Sequence, residues 1–249
     1  MFIDQWLIQG DCLQKMGEIP SGSIDMILTD PPYGTTACKW DSIIPLEPMW
    51  EQLKRIIKPN GAIIMTASQP FTTKLISSNY KMFRYCWVWD KTKATNFMNA
   101  KCMPLLKTED ICVFSHATAN AMSKLKMKYN PQGVESVEWD KTNGSNVGGE
   151  VGKARGAVFK GDYKQTTTGY PKNILDIPND NNKLHPTQKP VALMEYLIKT
   201  YTNEGDSVLD FTMGSGSTGV ASKNLNRKFI GIELDENYFN IAKNRIHDS

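Results

Sequence analysis

The chain has 249 residues, 40% of them apolar, and carries 29 basic against 26 acidic side chains for a net charge of +3. Such a chain can bury a sizeable core as one α/β domain, or as a core with one large insertion, and it holds no apolar run near the length of a membrane span. The opening MFIDQWLIQGDC has an acid and no basic residue where a secretory leader would be positive, and the five cysteines (Cys12, Cys38, Cys86, Cys102, Cys112) form no C-x-x-C pair, so a soluble cytoplasmic protein with reduced thiols and no metal is expected.

In chain order, strands are predicted at WLIQGD (from Trp6) and SIDMILTD (from Ser23), then a helix through LEPMWEQLKRIIK (from Leu46) and a strand at GAIIMTAS (from Gly61). A helix from Phe71 and strands at FRYCWVWD and DICVFS follow. Short apolar runs alternating with amphipathic ones are the pattern of an α/β fold, a mostly parallel sheet with helices on both faces. After Phe114 the periodicity fades, and Gly, Asn, Thr and Lys are abundant until Lys189; NGSNVGGEVGKARGA reads as loop rather than core. Order returns with helix PVALMEYLIKTY, strand DSVLDF, helix GSTGVASKNL, strand KFIGIEL and helix ENYFNIAKNRI. The expected organisation is one half of the core in residues 1–114, an insertion in 115–184 and the other half in 185–249.

Charge is spread unevenly. Ser115 to Leu184 holds ten basic residues against seven acids, and upstream Lys81, Arg84, Lys91, Lys93, Lys101 and Lys107 are interleaved with Tyr85, Trp87, Trp89 and Phe97. Basic side chains among aromatics suit a nucleic-acid surface, although a solvated face over core aromatics has the same composition.

The segment VLDFTMGSGSTG places Gly214, Gly216 and Gly219 in G-x-G-x-x-G spacing between a strand and a helix, with Glu233 ending the next strand nineteen residues after Gly214. Glycines allow a tight turn close to a ligand, and a carboxylate at the second strand's tip can hold two ribose hydroxyls, as in a Rossmann-like site for an adenosine-containing cofactor. An NAD(P)-dependent dehydrogenase would use such a loop, but its second mononucleotide half would have to follow, and only about thirty residues remain, enough for one more strand and helix. The other strands must come first, so the strand order is permuted.

Asp30, Pro31, Pro32 and Tyr33 follow the apolar run IDMIL, where an open α/β sheet binds ligands at its strand ends. Two prolines fix φ and remove two donors, so the carbonyls of Asp30 and Pro31 are expected to point outward, beside a carboxylate and a flat ring. That set suits an exocyclic amine on a planar base: the acceptors take its hydrogens, the ring stacks, and the carboxylate stabilises positive charge on a nitrogen that attacks an electrophile.

DPPY, then HPTQKP, then LDFTMGSGST resembles the beta group of DNA amino-methyltransferases that use S-adenosylmethionine. The resemblance implies the class I methyltransferase fold in permuted order, with the insertion as target-recognition segment. It implies that Asp30, Pro31, Pro32 and Tyr33 grip a flipped base, with Asp30 also facing the cofactor. It gives Asp11 and Cys12 to the cofactor's adenine, Asp210, Phe211, Gly214, Gly216, Ser217 and Thr218 to the turn beneath it, and Glu233 to its ribose. His185, Thr187, Gln188 and Lys189 would lie at its methionine end. Aspartate before PPY favours N6 of adenine over N4 of cytosine, which is the alternative within the family. The implied partners are double-stranded DNA and, as an assembly, a homodimer; any cognate restriction nuclease would be a separate chain. Lys39 and Trp40, in a loop from Thr35 to Ile44 expected to close over the base, and Lys91, Lys93, Lys153 and Arg155 are the expected DNA contacts.

Overall fold

The computed structural model describes residues 5–34, 42–143, 161–180 and 188–249, and the predicted alternation of strands and helices becomes a layered α/β core. In chain order it runs β1 (Gln5–Gln9), α1 (Cys12–Met16), β2 (Ile24–Thr29), α2 (Leu46–Ile56), β3 (Ile57–Ala67), α3 (Phe71–Ser78), β4 (Phe83–Thr95) and β5 (Leu106–Phe114). It continues with β6 (Glu135–Asn143), β7 (Gly161–Thr168), β8 (Ile174–Asp176), α4 (Val191–Tyr201), β9 (Ser207–Asp210), α5 (Ser217–Asn224), β10 (Lys228–Glu233) and α6 (Glu236–Asp248). Eight strands form one sheet in the order β1-β10-β9-β2-β3-β5-β4-β8.

All six residues of β2 are buried, as a strand covered on both faces requires. Its side chains alternate: Met26 and Leu28 enter one core layer with Leu193, Leu197 and Val220, while Ile27 enters the other with Trp50, Leu53 and Phe71. The helices supply matching stripes. In α2 the buried residues are Met49, Trp50, Leu53 and Ile56, and in α4 they include Leu193, Met194, Leu197, Ile198 and Tyr201, each set recurring at the helical period. Burying one such aliphatic side chain contributes about 1.5–3 kcal/mol, which is why these stripes set the helix orientation.

The sheet departs from a wholly parallel arrangement in one place. β5 lies between β3 and β4 and runs antiparallel to both, while β1, β10, β9, β2 and β3 are mutually parallel and β8 is parallel to β4. The carboxyl ends of the five parallel strands share one edge of the sheet. The antiparallel turn of β5 brings its beginning, not its end, to that same edge.

The expected insertion is smaller than 115–184. Pro131–Lys172 forms a second compact unit, and its core is the antiparallel pair β6 and β7; the segment read as loop, 143–157, lies almost wholly outside the described residues. Ser115 to Asn130 belong to the larger unit instead. Ser115 Oγ donates to the Gly61 carbonyl at 2.7 Å, Lys128 forms ion pairs with Asp25 and Asp206, and the Asn130 amide donates to the Thr200 carbonyl at 2.7 Å. Downstream, β8 joins the main sheet as its edge strand. Polar side chains facing specific partners across the fold carry no period, so these anchors left no pattern in the sequence.

Candidate active site

A cavity of about 1200 Å³ opens at the shared strand edge of the larger unit, and it takes in the ends of β1, β2, β3, β9 and β10 and the start of β5. The strand order reverses between β9 and β2, and the cavity lies over that crevice. Thr212, just after β9, donates through Oγ1 to the Asp30 carbonyl at 3.2 Å and so joins the two sides.

On the β9 and β10 side, Gly214 and Gly216 both adopt positive φ, 51° and 82°. A Cβ on Gly216 would stand 3.0 Å from the Ala242 Cβ, so the turn can lie against α6 only with glycine there. Glu233 closes the turn: its Oε2 accepts from the Gly214 amide at 2.8 Å and its Oε1 from the Asp235 amide at 2.9 Å. Burial raises the Glu233 carboxyl, against the lowering effect of these amides. Phe211 is buried beneath the loop, and Ser217 accepts from Arg245 at 3.1 Å.

Asp210, expected to face the cofactor, lines the cavity at the end of β9 and is held there from within the fold. Its carboxylate accepts from Thr29 Oγ1 at 2.7 Å, Thr218 Oγ1 at 2.7 Å and the Thr212 amide at 3.1 Å. Burial pushes its carboxyl up to about 6 despite those donors. Asp11 lies at the end of β1, where its carboxylate caps α1 by accepting from the Gln14 amide at 3.1 Å. Cys12 opens that helix, and burial pushes its thiol up to about 12. Both residues line the cavity.

On the β2 side, Asp30 is gripped at each oxygen. Oδ1 accepts from Tyr33 Oη at 2.6 Å and from Thr66 Oγ1, and Oδ2 lies 2.9 Å from the Lys189 ammonium. Thr66 comes from the carboxyl end of β3, the strand parallel to β2. The Asp30 carbonyl, expected to point outward, is taken by Thr212, whereas no donor reaches the Pro31 carbonyl among the described residues. Tyr33 stacks on Phe71 with ring centroids 5.3 Å apart, so one face of its ring is already covered. Burial, then the Asp30 charge, raise its hydroxyl well above the usual range.

Lys189 does not reach toward the glycine turn. Its ammonium bridges Asp30 and Glu109 and sits near the Tyr33 and Trp89 rings, at 5.8 and 6.0 Å from their centroids. Burial opposes its charge, but the two carboxylates outweigh that and raise it. Gln188 lies between Ser215 Oγ, which donates to its Oε1 at 3.0 Å, and Asp180, to which its Nε2 donates at 3.2 Å.

Lys91 is a correction. It was expected on a DNA-facing surface, yet its side chain is 9% exposed and pairs with Glu109 at 3.2 Å, because it alternates inward along β4 with Trp87 and Trp89. Lys93 is exposed. Lys39, Trp40, Lys153, Arg155, His185 and Thr187 lie outside the described residues, as does most of the Thr35 to Ile44 loop. Sequence reasoning missed Thr66 and Glu109. A polar residue closing the buried run GAIIMT was a signal for Thr66, whereas Glu109 enters through the antiparallel course of β5.

Among the described residues, no group of three His, Cys, Asp or Glu side chains is placed to hold a metal, and no helix is long and apolar enough to cross a membrane.

Comparison with known proteins agrees with this geometry. The type II methyltransferase M.HpaI of Haemophilus parainfluenzae is 28% identical over 262 residues, covering 98% of this chain and 74% of that protein. The DNA adenine methyltransferase YhdJ of Escherichia coli (strain K12) is 27% identical, covering 96% of this chain and 82% of its own. The crystal structure of the M1.HpyAVI-SAM complex superposes with a TM-score of 0.62 at 25% identity, covering 97% of this chain and 99% of that one. The cytosine-N4-specific PvuII DNA methyltransferase shares the fold at a TM-score of 0.69 and 16% identity, covering 98% of this chain and 87% of that one. A family model described as DNA methylase matches residues 24–244, which take in every strand but β1 together with Asp30 to Tyr33 and the glycine turn, and the chain belongs to the N6/N4 DNA methylase family.

Proposed function

We propose that this chain transfers a methyl group from S-adenosylmethionine to the N6 amino group of adenine in a specific DNA sequence. The observation that carries the reading is the meeting, in one cavity, of Asp30 with the Pro31 carbonyl on one side and Glu233 with the glycine turn on the other.

The residues present fit the cofactor. A Cβ built on Gly214 meets nothing within 4 Å, so the turn borders open space, and Glu233 keeps lone pairs for hydroxyls beyond the two amides it accepts. Glu233 would hold the ribose, with Asp11 near the adenine and the 214–216 turn beneath. The cofactor supplies a methyl group already activated on a sulfonium. What falls to the protein is positioning and charge.

Asp30 Oδ2 and the Pro31 carbonyl are two acceptors for the two hydrogens of an amino group. Holding both frees the nitrogen lone pair from the ring, and the carboxylate offsets the charge that grows on nitrogen. A base reaches this cavity only when flipped out of its duplex, at a cost of a few kcal/mol. Asp30 before PPY and the likeness to an adenine methyltransferase support adenine over cytosine.

Recognition of the sequence is assigned to the 131–172 unit. It exposes Trp139, Tyr163 and Tyr170 among Lys141, Lys164 and Lys172, with the Lys141 ammonium 5.1 Å from the Trp139 ring centroid. Cations grip phosphate, and aromatic and polar side chains meet base edges.

The test is to treat DNA with the protein and methyl-labelled S-adenosylmethionine, digest it to nucleosides and identify the labelled one. N6-methyladenine is expected. Label in N4-methylcytosine would overturn the choice of base, and NAD binding without any methyl transfer would overturn the reaction.

A further inference from the structure

The inner end of the cavity holds a chain of four charged groups. Lys91 Nζ lies 3.2 Å from Glu109 Oε1, Lys189 Nζ lies 3.0 Å from Glu109 Oε2, and the same ammonium lies 2.9 Å from Asp30 Oδ2. All four side chains line the cavity. The mechanism above uses Asp30 and leaves the other three without a task.

Lys189 is not needed to aim Asp30, because Tyr33 and Thr66 already fix Oδ1. It offsets part of the cost of bringing the Asp30 carboxylate, still 24% exposed, partly out of water. One carboxylate would satisfy the ammonium, yet it has two at nearly equal distance. Glu109 Oε2 is buried and receives no directed hydrogen bond among the described residues, so it meets the ammonium as a charge alone. An anion locked one-to-one with a cation is a dipole, and it attracts a new positive charge far less than a free anion does.

We infer that Glu109 is a positioning residue for methyl transfer: it gives the Lys189 ammonium a second anchor, so that Asp30 keeps net negative charge toward the amino nitrogen as that nitrogen turns cationic. The inference rests on the reading of Asp30 as the group that receives the target amine. Lys91, on the far oxygen of Glu109, balances the second carboxylate and keeps the four-membered cluster neutral overall.

The test compares the parent with Glu109→Gln and with two double variants, Glu109→Gln/Lys189→Met and Glu109→Gln/Lys91→Met. Single-turnover methyl transfer, KM for DNA, calorimetric cofactor affinity and 2-aminopurine fluorescence at the target base are read for each. Glu109→Gln is expected to slow transfer about tenfold or more while KM for DNA, cofactor affinity and base extrusion stay within about twofold. Each double variant removes one cation with one anion, so both restore the charge balance and keep the comparison alive if the single variant folds poorly. The variant without Lys189 is expected to regain most of the rate, and the one without Lys91 to remain slow. Equal recovery of both would reduce Glu109 to a charge-balancing part of the fold and overturn the inference, as would a Glu109→Gln rate equal to the parent's. Absence of methyl transfer by the parent itself would instead bring down the functional reading beneath it.

Discussion

Glu233 and Asp30 are carboxylates at the ends of two strands in one sheet, and the protein holds them by different means. Glu233 is fixed by backbone amides of Gly214 and Asp235, nineteen and two residues away. Asp30 is fixed by side chains, among them Thr66 on β3 and Lys189 just before α4, and Lys189 is in turn held by Glu109 on β5. A backbone cradle suits a ligand whose hydroxyls and ring must be met in a fixed place. A side-chain cluster suits a centre where charge changes during the reaction, because ammonium and carboxylate groups can shift their pairing without moving a strand.

That contrast predicts which substitutions damage chemistry and which damage binding. The largest effect is expected at Asp30. Asp30→Asn keeps the shape and one acceptor but removes the charge, and it should lower methyl transfer about a thousandfold, a loss typical of removing the main electrostatic stabiliser. Calorimetric affinity for S-adenosylmethionine should stay within about threefold, because the glycine turn is untouched. A parallel loss of cofactor affinity would show that the two sides are not separable.

Glu233→Gln should show the reverse pattern with a smaller effect. Charge-assisted hydrogen bonds are worth about 1.5–3 kcal/mol, so cofactor dissociation constants should rise about tenfold to a hundredfold while the rate at saturating cofactor changes little. A fall in that saturated rate with unchanged affinity would contradict the division.

The same contrast explains what could be read from the sequence. The glycine turn and Glu233 are local: strand, loop, helix and acid follow one another within VLDFTMGSGSTG and the next strand, so their spacing carried the site. The strands and helices of the core were equally legible, since burial on one or two faces writes a period into the chain. Asp30 was visible through two prolines that no buried strand would tolerate. Glu109 was not, because it reaches the cavity only when β5 inserts antiparallel between β3 and β4, and nothing in DICVFS states its direction. Lys91 misled for a related reason: within a basic, aromatic-rich stretch it resembles a surface cation, and only its partner Glu109 makes it an interior one. Lys189 was found through its motif, but its pairing with Asp30 and Glu109 was not, since order along the chain does not say which strand end a side chain will face.

Asp210 stands between the two sides and supplies the most specific prediction, one of stability rather than of rate or affinity. It ends β9, yet it accepts from Thr29 on β2 as well as from Thr218 at the start of α5, so it ties the glycine turn to the strand that carries Asp30. Burial is the largest influence on it and raises its carboxyl from 3.8 to about 6. A group raised in the folded state binds its proton more tightly there than in the unfolded chain. Its contribution to stability is therefore complete below about pH 4 and is lost as pH rises through about 6. The shift corresponds to about 3 kcal/mol between those limits. Asp210→Asn cannot ionise, so the stability of the variant relative to the parent should climb by about that amount between about pH 4 and pH 7 in urea unfolding. A difference that stays flat across the interval, or falls, would mean that the threonine donors already compensate the buried charge and that Asp210 joins the two sides at no electrostatic cost.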